Sequence, residues 1–273
     1  MIRTLQVAMP GDRQYQRKFI EWLDNHGLLA RTRFVHQISS FMRDHFPCDV
    51  PATDLESVAE QAYKDTQTYL RRSYEPRSGD LIYYDLEPSK GGKSWLGHAE
   101  KHGYTPHDIK VLDAMMRGVQ KGSDGMAATI YRVPSLPRSQ PISGDDFGHV
   151  SDVRPLALLR FDWVWMDLYP SQVKAVDSLN NYTDHRDRII KGYAILSRLN
   201  KPIIPFIFPV DEMPNIENYY ACYLDIAKRL PVDSLGIWMN PKDGRYENQI
   251  GQLELMLPAI NDFLEFESNE KMK

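Results

Sequence analysis

Residues 79–88 read GDLIYYDLEP, and this stretch sets the expectation for the whole fold. A turn precedes an unbroken apolar run, and Pro88 follows it. Apolar runs that do not alternate with polar residues are typical of strands covered on both faces, as in parallel sheets. Asp85 and Glu87 stand at the end of the run. Residues two apart on a strand share one face, so we expect these carboxylates side by side, roughly 6–7 Å apart.

Similar short runs recur along the chain and alternate with amphipathic, helix-like segments. This order predicts βαβ units and a parallel sheet. Seven or eight units in about 250 residues predict a single α/β domain over residues 1–273, a distorted (β/α) TIM-like barrel with a polar tail at about 267–273. An open doubly wound sheet is the alternative, although no glycine-rich nucleotide motif follows any run. The runs cover residues 4–9, 34–39, 80–87, 127–133, 161–167, 202–208 and 235–239.

The composition excludes several classes of protein. An apolar content of 42% predicts a packed core, and a net charge of −4 without a basic block argues against a nucleic-acid partner. Cys48 and Cys222 match no metal or redox spacing, so we expect two buried thiols. The N-terminus lacks the apolar core of a signal peptide, and no segment approaches the roughly 20 apolar residues of a membrane helix. We expect a cytoplasmic protein without membrane insertion, with release by lysis, as for a phage enzyme, left open.

The residues that end the runs indicate a carbohydrate site. Active sites of barrels lie at the carboxyl ends of the strands. Aromatic faces pack on sugar rings, and carboxylates supply the acid and base of glycoside hydrolysis. Several of these run ends also carry a proline that stops the strand. The candidate residues are Asp85, Glu87, Tyr131, Asp167, Tyr169, Asp211, Trp238 and Asn240.

The paired carboxylates suggest acid–base chemistry. Like charges held close together raise the pKa of one member of a pair, which suits a general acid. Glu87 is nearer the barrel mouth and longer, so we expect it to donate the proton while Asp85 orients it or the substrate. Asp167 is an alternative second carboxylate. The ordinary alternatives are solvated loop carboxylates and core aromatic residues.

At these residues the chain resembles the hyaluronidase family of glycoside hydrolases. The family's D-W-E at a strand end corresponds here to YYDLEP, and its strand-ending tyrosine to TIYRVPS. Its L-Y-P-S after a tryptophan-rich strand corresponds to WVWMDLYPS, and its last-strand tryptophan to LGIWMN. The order agrees from about residue 80 to 240. The D-x-E pair is also similar to that of chitinases and glycosidase-type lysozymes.

The resemblance implies a retaining mechanism on an N-acetylhexosamine polysaccharide. Glu87 would be the general acid/base, and the acetamido carbonyl of the substrate would be the nucleophile. Asp85 and Tyr169 would hold that acetamido group, and Tyr131 and Trp238 would line the subsite. The remaining three candidates, Asp167, Asp211 and Asn240, are expected to bind substrate. The sequence after the pair, SKGGKSWLGH, departs from the family, and the region lacks the basic groove that hyaluronan favours; a bacterial or phage polymer is an equal candidate.

No cofactor and no metal are expected. His98 and His102 have i, i+4 spacing, but no third ligand is evident. His36, inside an apolar run, is expected to be a core histidine with a hydrogen-bond partner.

The alternative function is a catalytically silent barrel that binds glycan or has a structural role, which predicts Asp85 and Glu87 in salt bridges.

Overall fold

The computed structural model of the protein describes residues 3–8, 13–39, 47–72, 77–85, 89–90, 93–94, 104–131, 154–168, 179–207, 216–239 and 246–266. The strands are β1 (Thr4–Ala8), β2 (Thr32–Ser39), β3 (Leu81–Asp85), β4 (Ser89–Lys90), β5 (Lys93–Ser94), β6 (Ala127–Tyr131), β7 (Val164–Asp167), β8 (Ile203–Ile207) and β9 (Ser234–Trp238). The helices are α1 (Arg13–Asn25), α2 (Leu55–Arg72), α3 (Pro106–Gly122), α4 (Leu179–Leu196), α5 (Ile216–Arg229) and α6 (Tyr246–Glu265). Short 3-10 helices stand at Leu29–Arg31, Pro47–Asp49, Ala52–Asp54, Arg154–Leu158 and Ser197–Leu199.

The seven long strands form one parallel sheet in the order β6-β3-β2-β1-β9-β8-β7. The two strands at the ends of this order meet near their amino ends. There the N–H of Asp162 donates to the carbonyl of Ala128 at 2.9 Å, and the Asp162 carboxylate accepts the N–H of Ala128 at 2.8 Å. These bonds bring the sheet into a nearly closed barrel. The TIM-like barrel is confirmed, and the open doubly wound alternative is wrong.

Side chains alternate between the inside of the barrel and the layer under the helices. In β3, Leu81 and Tyr83 belong to an inner cluster, whereas Ile82 and Tyr84 pack in the outer layer. Alternation places Asp85 with the inner set. Because parallel partners share a face, the register carries this pattern around the sheet, from β6 to β7. The barrel thus has a small, aromatic inner core and a larger outer core.

Asp80 fastens the amino end of β3 to β2. It is 3% exposed, and its carboxylate accepts the N–H groups of Phe34 at 2.9 Å and Arg77 at 2.8 Å and Nε2–H of His36 at 3.2 Å. Burial raises the pKa of this carboxyl, but the hydrogen bonds from His36 and the two backbone groups outweigh it and hold the pKa below its ordinary value. His36 is therefore the core histidine that the sequence predicts.

The helices outside the barrel pack closely where small residues allow it. A Cβ at Gly118 of α3 would collide with the carbonyl oxygen of Ala59 in α2, so only glycine permits this approach. Thr105 and Asp108 form a capping box at the start of α3, and Pro106 occupies the first turn.

Two expectations need correction, the start of the fifth strand and the burial of Cys48. The fifth run was predicted to be a strand from Phe161, but β7 begins at Val164, because the preceding residues cross over to bond with β6. β8 contains Pro205, and its pairing with β9 is confined to Phe206 and the residue after it, since proline has no N–H to donate. Cys48 is exposed rather than buried.

Candidate active site

Asp85 is an acidic group that the structure places at the carboxyl end of the barrel. It ends β3 and pairs in register with Ser39 of β2 and Tyr131 of β6. Its Oδ2 accepts a hydrogen bond from Nε2–H of Gln37 at 2.6 Å. The Asp85 side chain is half-buried. It lies at the end of a barrel strand where the catalytic groups of such folds are found.

Aromatic rings fill the barrel directly beneath Asp85. The ring of Tyr83 lies 5.8 Å from that of Tyr131 and 4.9 Å from that of Trp165, measured between centroids. Tyr131 and Trp165 meet edge to face at 5.0 Å, and Trp165 stacks on Phe206 at 3.4 Å. The edge-on arrangements of Tyr131 with Tyr83 and with Trp165 are favourable for aromatic pairs. The inner face of the site therefore has an apolar, aromatic floor.

Gly236 makes this packing possible. It stands beside Phe206 in the register of β8 and β9, on the inner face. A Cβ at this position would overlap the Phe206 ring. The ring therefore occupies the space above a strand that has no side chain there, which lets it stack on Trp165.

Trp238 is joined to this floor by a hydrogen bond. Its indole Nε1–H donates to the hydroxyl oxygen of Tyr83 at 3.2 Å. Burial, and next the charge of Asp85, raise the pKa of Tyr83 well above its usual range, and the bond from Trp238 opposes this only in part. Tyr83 is therefore a neutral phenol at neutral pH, which holds one end of the Trp238 indole.

Helix α2 supports the site from outside the sheet. Tyr69 of this helix is hydrogen-bonded to the backbone of Gln37, and burial raises the pKa of Tyr69 to about 12 despite that bond. On the same helix, Asp65 accepts the hydroxyl of Tyr84, the residue directly before Asp85, at 3.2 Å. Gln37, which donates to the Asp85 carboxylate, and Tyr84, which precedes Asp85 in the chain, are thus both hydrogen-bonded to α2.

Three of the predicted site residues come together as expected. Asp85 and Tyr131 are register partners, and Trp238 is connected to them through Tyr83. The backbone of Asp167 ends β7 and pairs with Phe206 at the same end of the barrel. The other predictions fall outside the described residues: Glu87, Tyr169, Asp211 and Asn240, with the candidate metal ligands His98 and His102.

The sequence reading missed four residues of the site. Tyr83 and Trp165 stand two positions before predicted site residues on the same strands, so the alternation of side chains was a usable signal for both. Phe206 and Gln37 gave no such signal, because only the register between strands shows which neighbours they meet.

Carboxylate, amide and aromatic groups can together bind a sugar ring and its hydroxyl or amide substituents.

Within the described ranges, no three His, Cys, Asp or Glu side chains are grouped closely enough to hold a metal ion. None of the described helices has the length and apolarity that crossing a membrane requires.

Solved glycoside hydrolases have a similar fold. Bee venom hyaluronidase, in complex with a hyaluronic acid tetramer, matches with a TM-score of 0.64 and 11% identity over 94% of this chain and 98% of its own. A GH5-4 broad-specificity endoglucanase from Ruminococcus champanellensis with bound cellotriose matches with a TM-score of 0.55 and 13% identity, over 94% and 81%. At these identities the likeness shows the fold alone, and it confirms the hyaluronidase-like barrel. No family model and no curated protein matches the sequence.

Proposed function

We propose that the protein is a retaining glycoside hydrolase that cleaves a polysaccharide containing N-acetylhexosamine. The observation that carries the proposal is the convergence of Asp85, Tyr131 and Trp238 at the carboxyl end of one barrel, over an aromatic floor. The two barrels of similar fold described above are glycoside hydrolases, and both were solved with bound saccharides, which supports a glycan partner.

Glu87 is the proposed general acid/base. It gives its proton to the glycosidic oxygen as the bond from that oxygen to the anomeric carbon breaks. The carbonyl oxygen of the substrate's acetamido group forms the new bond to the anomeric carbon, so no protein nucleophile is needed. Water then attacks the same carbon and its bond to the acetamido oxygen breaks, which restores the acetamido group. The Glu87 carboxylate takes the proton of that water, and the product retains its configuration.

The other site residues are proposed to hold the substrate for this reaction. Asp85 and Tyr169 fix the acetamido group, and Asp85 favours the positive charge that develops on its nitrogen. Tyr131 and Trp238 present aromatic surface to the sugar rings. The remaining polar candidates, Asp167, Asp211 and Asn240, are proposed to bind hydroxyl groups.

The Glu87→Gln variant tests the proposal. The purified protein is incubated with polymers of N-acetylglucosamine and of N-acetylgalactosamine, including peptidoglycan, and new reducing ends are measured. Glu87→Gln should lower kcat by at least about a hundredfold, because the amide cannot transfer the proton. Binding of the same polymers and the unfolding midpoint should be nearly unchanged.

Glu60→Gln is the matched control. Glu60 is an exposed residue of α2 that faces Lys64, so the same chemical change there should leave kcat as in the unaltered protein. Activity of Glu87→Gln above a few per cent of that control would remove Glu87 from the proposed role. Polymer binding without any turnover by the unaltered protein would instead support the silent glycan-binding barrel.

A further inference from the structure

Gln37 makes an unusual contact for a residue in the middle of a strand. It belongs to the inner face of β2 and pairs in register with Tyr83, not with Asp85. Its side chain therefore reaches diagonally along the neighbouring strand to donate Nε2–H to Asp85 Oδ2 at 2.6 Å. A bond from an amide to a carboxylate is roughly twice as strong as one between neutral groups.

The backbone of Gln37 is held firmly while its side chain makes this contact. It pairs with Tyr83 in the ladder between β2 and β3, and Tyr69 of α2 binds its backbone from the outer side. A glutamine free in water would lose about 1.5–2 kcal/mol of side-chain entropy on being ordered in this way. The half-buried side chain recovers that cost through the bond to Asp85.

We propose that Gln37 is a positioning residue, which holds the Asp85 carboxylate ionised and in one orientation at the mouth of the barrel. The amide N–H can only donate, so it stabilises the ionised form of its partner. The catalytic consequence rests on the function proposed for Asp85, whereas the effect on the ionisation of Asp85 does not.

Three phenols lie around this contact. Tyr83 stands on the same strand as Asp85, Tyr131 on β6, and Tyr69 on α2. Burial raises the pKa of both Tyr83 and Tyr69, so these two phenols stay neutral over the acidic range in which a carboxyl group titrates. A change in the titration of Asp85 can then be followed without interference from them.

Gln37→Glu is the decisive variant, because it keeps the shape and replaces the donor with a second carboxyl group. Two carboxyl groups at this distance share a proton, so the titration midpoint of Asp85 should rise by about one pH unit or more. The midpoint is read from the ¹³C signal of its carboxyl carbon, assigned with Asp85→Asn. The acidic limb of the pH profile of kcat/KM should move upward by the same amount.

Gln120→Glu is the matched control. Gln120 donates to the Asp162 carboxylate at 3.2 Å near the amino end of the barrel, so the same change places the same charge beside an aspartate at the end opposite the mouth. This control should alter neither the Asp85 midpoint nor kcat/KM. An Asp85 midpoint that is equal in Gln37→Glu and the unaltered protein would overturn the inference.

The outcomes separate the inference from the proposed function. If the unaltered protein cleaves no polymer but Gln37→Glu moves the Asp85 midpoint, the glycosidase proposal fails and the role of Gln37 stands. If Gln37→Glu does not fold, Gln37→Met, which has similar length and no donor, replaces it. It too should raise the Asp85 midpoint, and lower kcat at least about tenfold with KM nearly unchanged; no change in the midpoint overturns the inference.

Discussion

Asp80 and Asp85 flank the same strand, and their surroundings differ in kind. Asp80, at the amino end, is buried and accepts two backbone N–H groups and one histidine N–H. Asp85, at the carboxyl end, is half-buried and accepts the amide at the tip of a glutamine side chain. The first carboxylate is bound mainly by parts of the chain that cannot rotate, and the second by one that can.

The difference shows how one strand serves both stability and function. Backbone donors around Asp80 join two strands, and the carboxylate is buried there. At the other end, a side-chain donor holds the carboxylate, and a donor of this kind can rotate. This division agrees with the general behaviour of barrels, in which the amino end carries stability and the carboxyl end carries chemistry.

The same substitution at both aspartates tests the comparison most strongly. Asp80→Asn turns an NH₂ group toward buried N–H donors and should lower the free energy of unfolding by about 3 kcal/mol. Asp85→Asn keeps an oxygen for Gln37 and should lower it by less than about 1 kcal/mol. Activity should show the opposite order, with a loss of at least about a hundredfold in kcat for Asp85→Asn. Urea unfolding followed by circular dichroism, together with the reducing-end assay, measures both; equal losses of stability would contradict the comparison.

Lowering the pH should reduce the contribution of Asp80 to the free energy of unfolding, by less than the Asp80→Asn substitution does. The folded-state pKa of Asp80 lies below its unfolded value of about 3.9. The contribution of Asp80 to stability is therefore fully present above its unfolded-state pKa, and it is lost as the pH falls through its folded-state pKa. The gap in unfolding free energy between the unaltered protein and Asp80→Asn should narrow from pH 6 to pH 3. A gap that is constant over this range would contradict the lowered pKa.

Tyr83→Phe should have the smallest effect and should act at the carboxyl end. It removes the acceptor of the Trp238 indole but keeps the ring contacts with Tyr131 and Trp165. We expect a loss of about 1 kcal/mol in stability and a several-fold weaker Kd for glycan by calorimetry. Tyr193→Phe, which removes a hydroxyl bond to a surface carbonyl, is the control and should leave the Kd unchanged. A Kd of Tyr83→Phe equal to that of the control would mean that Trp238 needs no such support.

The sequence predicted the barrel and the residues at its strand ends because these depend on local patterns. Apolar runs, prolines and the two-residue alternation are enough to place Asp85, Tyr131 and Trp238. The bond between Tyr83 and Trp238 joins residues that are 155 positions apart, and no local pattern encodes it. Gln37 was equally hidden, since a polar residue within a strand is silent until the register shows which strand lies beside it. Glu87 remains a prediction.

The order of the strands divides the barrel into two continuous stretches of chain. One stretch supplies β1, β2, β3 and β6, the other β7, β8 and β9, and they meet along the pairing of β1 with β9 and at the bonds between Asp162 and Ala128. Gln37, Asp85 and Tyr131 come from the first stretch, whereas Trp165, Phe206 and Trp238 come from the second. This layout is that of a split reporter protein. If the chain were expressed as two polypeptides divided between residues 131 and 154, each would carry half of the site. The complete site would form only when the two polypeptides associate.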